Sequence, residues 1–325
     1  VAERASIGEF ELIARFFRRS SPQNSSVALG VGDDCALIAS EAGTQWAVST
    51  DTLVEHVHFL SDVDPAALGH KALAVSLSDL AACGATPRCF FLALALPSAD
   101  PAWLERFSDG MYALADLHCC ALAGGDTSRS SAGIVITITA LGYVPTGDAL
   151  LRSGARVGDD IWVSGELGDA ALGLAFRRGD VDLPQAAAQR VVTKLEQPVP
   201  RVLLGVRLRE LASSAIDLSD GLVGDLRHVM RASGVGAVVN WAQIPRSAVL
   251  QQQPMPTQQR LALAGGDDYE LLFTAASERR AQVMAVAAGL VPVTRIGIVT
   301  STTGLDVVDE DGAAVDTGMI AFEHF

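Results

Sequence analysis

Lysine is nearly missing from this chain. Among 325 residues only Lys71 and Lys194 carry it, and neither stands in a GxxxxGK[ST] loop. A P-loop, which cradles phosphates on its backbone and one lysine, is excluded as far as a motif can exclude it. Basic charge is scarce altogether, with 24 Lys and Arg against 38 Asp and Glu and a net charge of −14. Nucleic-acid binders present a basic face, so that class is disfavoured and no nucleic-acid partner is expected. Long apolar runs are also missing, because Gly or charge interrupts them well short of the roughly 20 residues that cross a bilayer. No membrane association is therefore expected. The five cysteines (Cys35, Cys83, Cys89, Cys119 and Cys120) form no CxxC pair and leave an odd count. That suits reduced, buried thiols better than zinc or a disulfide framework. The opening VAERASIGEFELIARFF carries charges throughout and lacks the basic-then-apolar layout of a signal peptide. A soluble, cytoplasmic protein is the expectation.

What is present suits two cores. A chain of this length, 49% hydrophobic, fits two domains of roughly 150 residues each. The stretch PTGDALLRSGARVGD has three glycines, a proline and no sustained period, so the expected domains are 1–145 and 146–325. In GEFELIARFF, Phe10, Ile13, Phe16 and Phe17 share a helical face. VALGVGDDCALI reads as strand, Gly-Asp turn, strand. QWAVSTDTLVEHVHF reads as one strand, and DPAALGHKALAVSLSDLAACGATP as a helix capped by Asp-Pro and stopped by Gly84 and Pro87. RCFFLALALP has the pattern of a buried strand, and CALAGGDTSRS reads as a strand ending in a loop. In the second half, the strand DIWVSG leads through a Gly-rich turn into GDAALGLAFRRG, helices are expected around VTKLEQPVPR, IDLSDGL and LALAGGDDYELLFTA, and a strand at VGAVVNW. Each half is α+β or α/β.

Five short acidic segments hold the candidate chemistry: GDDCA, STDT, SLSDLAACG, GGDTS and IDLSDGL. Several set Asp beside Gly or Ser after an apolar run, where small neighbours let a large ligand approach the backbone. Asp is also a common turn and N-cap residue, and any one segment alone is open to that reading. Asp79 is the sharpest, since it lies inside an Ala/Leu-rich helix where an unpaired carboxylate would cost several kcal/mol. It needs an arginine or a bound metal. Oxygen-only ligands select a hard cation, and Mg²⁺ divides its positions among carboxylates, waters and substrate phosphates. Several magnesium ions imply a highly charged ligand such as ATP, and phosphoryl transfer is mainly a matter of positioning and charge neutralisation. In IDLSDGL, Asp217 and Asp220 would share a helix face, and Ser219 and Gly221 would offer hydroxyl and N–H groups to a phosphate.

The segments GEFELIARFF, GVGDDCALI, STDTLVEHVHF, DPAALGHKALAVSLSDLAACGATP, GGDTS, LLRSGARVGDDIWVSGELGDAALGL, SAIDLSDGL and GGDDYELLFT together resemble the thiamine-monophosphate kinase family, in that family's order. The resemblance implies the two-domain aminoimidazole ribonucleotide synthetase-like fold, an N-terminal sheet domain plus a C-terminal α+β domain, in a homodimer with ATP between the domains. It implies transfer of the γ-phosphate of ATP to thiamine monophosphate, with no phospho-enzyme. Carried over by position, Asp33, Asp34, Ser49, Thr50, Asp51, Asp79, Asp126, Asp217 and Asp220 would hold magnesium, with Asp51, Asp79, Asp126 and Asp217 catalytic. Gly125, Asp126, Arg152 and Ser219 would contact ATP, and His58, Asp267 and Phe322 the thiamine phosphate. His56, two residues before His58, would share its strand face. Two positions depart from the family pattern: Asp267 replaces a glutamate, and Phe322 a tyrosine. Two other readings stand beside this one. A selenide, water dikinase would need a reactive cysteine in a Gly-rich segment, and none is visible. A binder without catalysis would not need every aspartate.

Overall fold

The computed structural model describes residues 9–18, 26–29, 37–38 and 40–315. The chain divides into two compact units, one running Val1–Leu80 and Thr86–Thr146, the other Ala81–Ala85 and Gly147–Phe325. Asp33, Asp34, Cys35 and Phe322 lie outside the described residues.

The first unit begins with a short helix, α1 (Glu9–Leu12), which continues into a π-helical turn at Ile13–Phe17. The wider turn buries the neighbours Phe16 and Phe17 together, where the expected face was spread along an ordinary helix. A two-stranded ribbon pairs β1 (Val27–Leu29) with β2 (Leu37–Ile38). The main elements are β3 (Thr44–Val54), α2 (Pro65–Ala82), β4 (Thr86–Leu96), α3 (Pro101–Leu117), β5 (Ala121–Arg129) and β6 (Val135–Pro145). They form a four-stranded sheet in the order β3-β6-β4-β5, antiparallel except for the β4–β5 pair. Asp64 caps α2 by accepting the Ala66 N–H at 2.8 Å, and Asp100 caps α3 by accepting that of Ala102 at 3.0 Å. Leu104, Phe107, Met111 and Leu114 make the buried stripe of α3. Helix α2 is apolar nearly all round, with Leu68, Leu73, Leu77 and Leu80 buried. The two helices cross at glycines: a Cβ on Gly69 would lie 2.0 Å from the Phe107 carbonyl oxygen, and one on Gly110 1.9 Å from that of Ala66. Side chains at those positions would force the helices apart.

Strand alternation gives the sheet two different faces. Ser49, Asp51 and the buried Leu53 of β3 lie on one. Trp46, Val48, Thr50 and Thr52 lie on the other, opposite Tyr143, Leu141, Thr139 and Thr137 of β6.

The second unit comprises β7 (Asp160–Ser164), α4 (Asp169–Arg178), α5 (Gln185–Glu196), α6 (Val202–Leu208), β8 (Ala212–Asp217), α7 (Leu222–Ser233), β9 (Gly236–Asn240), α8 (Ala248–Gln251), α9 (Met255–Ala264), β10 (Leu271–Ala275), α10 (Arg280–Ala287), β11 (Val293–Thr300) and β12 (Gly304–Val308). Six strands form one sheet in the order β12-β9-β11-β7-β10-β8, parallel only at β12–β9. Ile161, Val163, Ile216, Leu272, Ile296 and Val299 build its core with Leu222, Val223, Leu226, Val229 and Met230 of α7. Both units are α+β.

Four segments depart from the sequence expectations. The strand through STDT stops at Val54, and EHVHF turns, with His56 at φ 68°. GGDTS continues as strand rather than ending in a loop, because β4 runs alongside it from Cys89 to Leu96. IDLSDGL is not helical: Asp217 closes β8, residues 218–221 turn, and α7 starts at Leu222. In LALAGGDDYELLFTA, α9 ends at Ala264, six irregular residues follow, and β10 begins at Leu271.

Candidate active site

In the first unit two aspartates meet across sheet and helix. Asp51 of β3 accepts the Ser76 hydroxyl of α2 at 2.8 Å, and the Ser49 hydroxyl donates to Asp79 of α2. Strand period 2 puts Ser49 and Asp51 on one face, and helix spacing i, i+3 puts Ser76 and Asp79 opposite them. Burial, then the charge of Asp79, pushes the Asp51 carboxyl up to about 6. Among the described residues no Arg or Lys forms an ion pair with either carboxylate. Two carboxylates and two hydroxyls, all oxygen donors, fit a hard divalent cation.

Other assigned residues stand elsewhere in this unit. The Thr50 hydroxyl lies on the opposite sheet face, 2.9 Å from that of Thr139, so strand alternation keeps it from Asp51. Asp126 is three strand spacings from β3, roughly 14 Å. Pairing aligns Asp126 with Ala93, Thr137 and Thr52, whereas Gly125 aligns with Leu92, Ile138 and Asp51. Asp126 thus sits in the row beside that of Asp51, and β-strand alternation turns it to the other face. It borders a small cleft lined by Ile13, Phe17, Leu92, Leu122, Gly125 and Thr127. Among the described residues no three His, Cys, Asp or Glu side chains converge as a ready-made metal site.

His58 follows the end of β3, and its Nδ1 accepts the Val54 N–H at 3.0 Å. Accepting at Nδ1 means that a neutral ring carries its proton on Nε2. His56 does not share its face. It is exposed, with its ring nitrogens 3.3 and 3.4 Å from the Ser61 hydroxyl.

In the second unit, the turn after β8 lies against the GGDDYE segment. Asp267 N–H donates to the Ser219 carbonyl at 2.9 Å, Tyr269 N–H to that of Leu218 at 2.8 Å, and Leu218 N–H to that of Glu270 at 2.8 Å. Asp267 and Tyr269 both hold left-handed backbone, at φ 69° and 49°, and the Tyr269 hydroxyl donates to Asp267 at 2.9 Å. Such conformations are costly for side chains other than glycine and collect at functional sites. Asp217 is buried, while Ser219 and Asp220 are half-exposed. Arg152 is exposed.

Three groups here escaped the sequence reading. Asp225, in the first turn of α7, accepts the N–H groups of Ser219, Asp220 and Gly221 on one oxygen at 3.1, 3.1 and 3.2 Å. Those N–H donors, expected to meet a phosphate, are already engaged. Burial, then the charge of Asp220, pushes the Asp225 carboxyl up to about 7 against the pull of the three N–H groups. Asp268 accepts the Gly168 N–H at 3.0 and 2.9 Å. Its carboxyl is desolvated although part of the residue is exposed, and that holds its pKa well above the ordinary range. Glu270, 2% exposed, takes a two-pronged bond from Arg201 and a 2.5 Å bond from the Ser164 hydroxyl. The signal for Asp225 was its place just after a Gly that ends a turn, where an acid meets a helix N-terminus. Nothing local announced Asp268 or Glu270.

Comparison with known proteins fixes the class first. Residues 32–144 match the N-terminal domain of AIR synthase related proteins, and residues 156–310 match their C-terminal domain. The thiamine-monophosphate kinase of Escherichia coli K12 is 46% identical over 322 residues, covering 98% of each chain. That of Stenotrophomonas maltophilia K279a, a crystal structure, is 43% identical with a TM-score of 0.84, covering 94% of this chain and 96% of its own. AaThiL complexed with AMPPCP and TMP is 31% identical with a TM-score of 0.77, covering 98% of this chain and 97% of its own. This chain belongs to the thiamine-monophosphate kinase family.

Proposed function

We propose that this protein transfers the γ-phosphate of ATP to thiamine monophosphate, yielding thiamine diphosphate and ADP by direct in-line displacement. A phosphate oxygen of the acceptor forms the new P–O bond as the bond from the γ-phosphorus to the leaving ADP oxygen breaks. The observation that carries the reading is the Asp51–Asp79 pair, two carboxylates and two hydroxyls gathered with no cation pairing them among the described residues. Asp51, Asp79 and Ser49 would hold magnesium together in the first unit, with Asp33 and Asp34 assigned to magnesium by the resemblance. Asp126, three strands away on the other sheet face, would hold a separate ion, and Asp217 and Asp220 would hold magnesium in the second unit. Magnesium supplies Lewis acidity that neutralises phosphate charge as it spreads in the transition state.

The chain's own groups bind and orient. In the first unit, the apolar cleft beside Gly125 and Asp126 suits the uncharged part of a nucleotide. In the second, Arg152 and the Ser219 hydroxyl, both accessible, suit phosphate oxygens. His58, its Nδ1 held by the Val54 N–H, is assigned to the acceptor phosphate. Tyr269 holds the Asp267 carboxylate, assigned to the thiamine moiety, and the resemblance assigns Phe322 to the same ligand. Because the attacking phosphate is already anionic, no general base is needed. Self-association as a homodimer is supported by the exposed face of the first sheet, where Trp46 and Tyr143 rings lie 4.0 Å apart beside Val48, 59% exposed. Among the described residues no helix is long and apolar enough to cross a membrane, and cytoplasmic residence is proposed on that ground and the family's chemistry.

Incubation with ATP, magnesium and thiamine monophosphate, followed by mass analysis, tests the reaction. Thiamine diphosphate should form only when magnesium is present. Intact ATP binding with no diphosphate would overturn the proposal in favour of a non-catalytic binder or another ATP-using member of the wider fold family.

A further inference from the structure

We infer that Asp225 is a positioning residue: its carboxylate fills the backbone N–H nest of residues 219–221 and so sets Asp217, Ser219 and Asp220 as side-chain ligands. Three consecutive N–H groups converging at the start of a helix form an anion cradle of the kind that elsewhere takes a nucleotide phosphate. Here one oxygen of Asp225, 2% exposed, occupies it. The cradle is closed to the nucleotide, so the turn meets a ligand through side chains, the Ser219 hydroxyl and the carboxylates of Asp217 and Asp220.

The rest of the turn is fixed too. Leu218 donates to Glu270 and accepts from Tyr269, while the Ser219 carbonyl accepts from Asp267. Gly221 holds φ 110°, and a Cβ on Gly266 would lie 2.4 Å from the Ser219 carbonyl oxygen, so GGDDYE presses on the turn from outside. Asp225 supplies the contact from inside. Its own N–H donates to the Gly221 carbonyl at 3.0 Å, closing the first helical turn around the same loop. A carboxylate placed out of water beside Asp220 is an expensive way to cap a helix that Ser or Asn in the turn would cap, and the gain is three ligand-bearing residues held in one conformation.

The inference rests on the proposed role of Ser219 and Asp220 in holding magnesium and ATP. Its test uses Asp225→Ala and Asp225→Asn in the full-length protein. Loss of an outer partner that orients ligands typically costs 10- to 100-fold in affinity or activity. For Asp225→Ala, the magnesium concentration for half-maximal rate should rise about 10-fold or more, and kcat/KM for ATP should fall by a similar factor, with KM for thiamine monophosphate changing much less. Added formate, which fits the vacated cradle, should restore part of the loss in Asp225→Ala and none in the wild type. Amide hydrogen exchange at residues 218–221, read without nucleotide or metal, should quicken in Asp225→Ala and slow again with formate. Should Asp225→Ala fail to fold, Asp225→Asn, which keeps an acceptor oxygen in place, carries the same magnesium and exchange measurements with a smaller shift. A folded variant with an unchanged magnesium midpoint and unchanged exchange would overturn the inference. So would equal losses toward ATP and thiamine monophosphate with no response to formate. If the wild type makes no thiamine diphosphate, the proposed function fails, and the exchange data still decide whether Asp225 holds the turn.

Discussion

The carboxylates of the two units are satisfied in opposite ways. In the first unit Asp51 and Asp79 lean on each other with Ser76 and Ser49 as donors, and among the described residues no Arg or Lys pairs with either. In the second, Asp225, Asp268 and Glu270 each have donors of their own: three N–H groups, the Gly168 N–H, and the guanidinium of Arg201. The contrast separates acids that wait for a ligand from acids that shape the chain. A carboxylate pair with no protein cation raises the free energy of the empty site and stores affinity for a metal, whereas a paired carboxylate contributes order and no affinity.

Three experiments break or sharpen the contrast. The largest effect belongs to Asp79→Asn, which removes half of the gathered charge. Product formation should fall on the order of 100-fold or more, while Tm holds or rises because like-charge repulsion is relieved. A comparable loss of Tm and rate would make Asp79 a structural acid like those of the second unit. Next is Arg201→Ala, which strands Glu270 in the interior. Breaking a buried pair this way costs about 3–5 kcal/mol, and denaturant unfolding should show it. A change below about 1 kcal/mol would mean that Ser164 and Lys194 suffice for Glu270.

The smallest effect is expected at Asp268→Asn, and its sign depends on pH. The raised pKa means that the folded protein keeps a proton which the unfolded chain releases above the ordinary carboxylate range of about 4. Native stability from this group is therefore lost as pH climbs from that value toward the raised one. Asn cannot titrate and still accepts from Gly168, so the variant should gain on the wild type as pH rises from 4 to 8 and match it below 4. Parallel pH profiles would show that Asp268 titrates normally.

Much of this was legible in the sequence, for reasons that can be named. The Asp-Pro start of α2 and the apolar run of β4 are local patterns, and they formed as read. Asp79 was flagged because an acid in an apolar helix needs a partner. The partners it found are Ser49 and Asp51, which sharpens the case for a metal over an arginine. GGDTS looked like a strand end because Gly and Asp favour turns, but pairing with β4, whose sequence lies some thirty residues away, carried the strand onward. IDLSDGL looked helical from Asp spacing, whereas the decisive group was Asp225, which ties the turn off before the helix begins. Period-2 alternation in EHVHF misled because His56 adopts a left-handed conformation and breaks the alternation there.

The glycine crossing of α2 and α3 reaches further than the packing it permits. Gly69 stands ten residues before Asp79 on the same helix, roughly 15 Å along its axis, and neither glycine touches a polar side chain of the candidate site. Yet the backbone contacts at Gly69 and Gly110 set how deeply α2 beds against its neighbour, and with it the gap between Asp79 and Asp51. The spacing of the acids is thus calibrated at a distance, by two hydrogen atoms where any other residue would put a carbon. Two apparently silent positions carry the tolerance of the Asp51–Asp79 spacing, and a single methyl group at either would shift it without changing one charge.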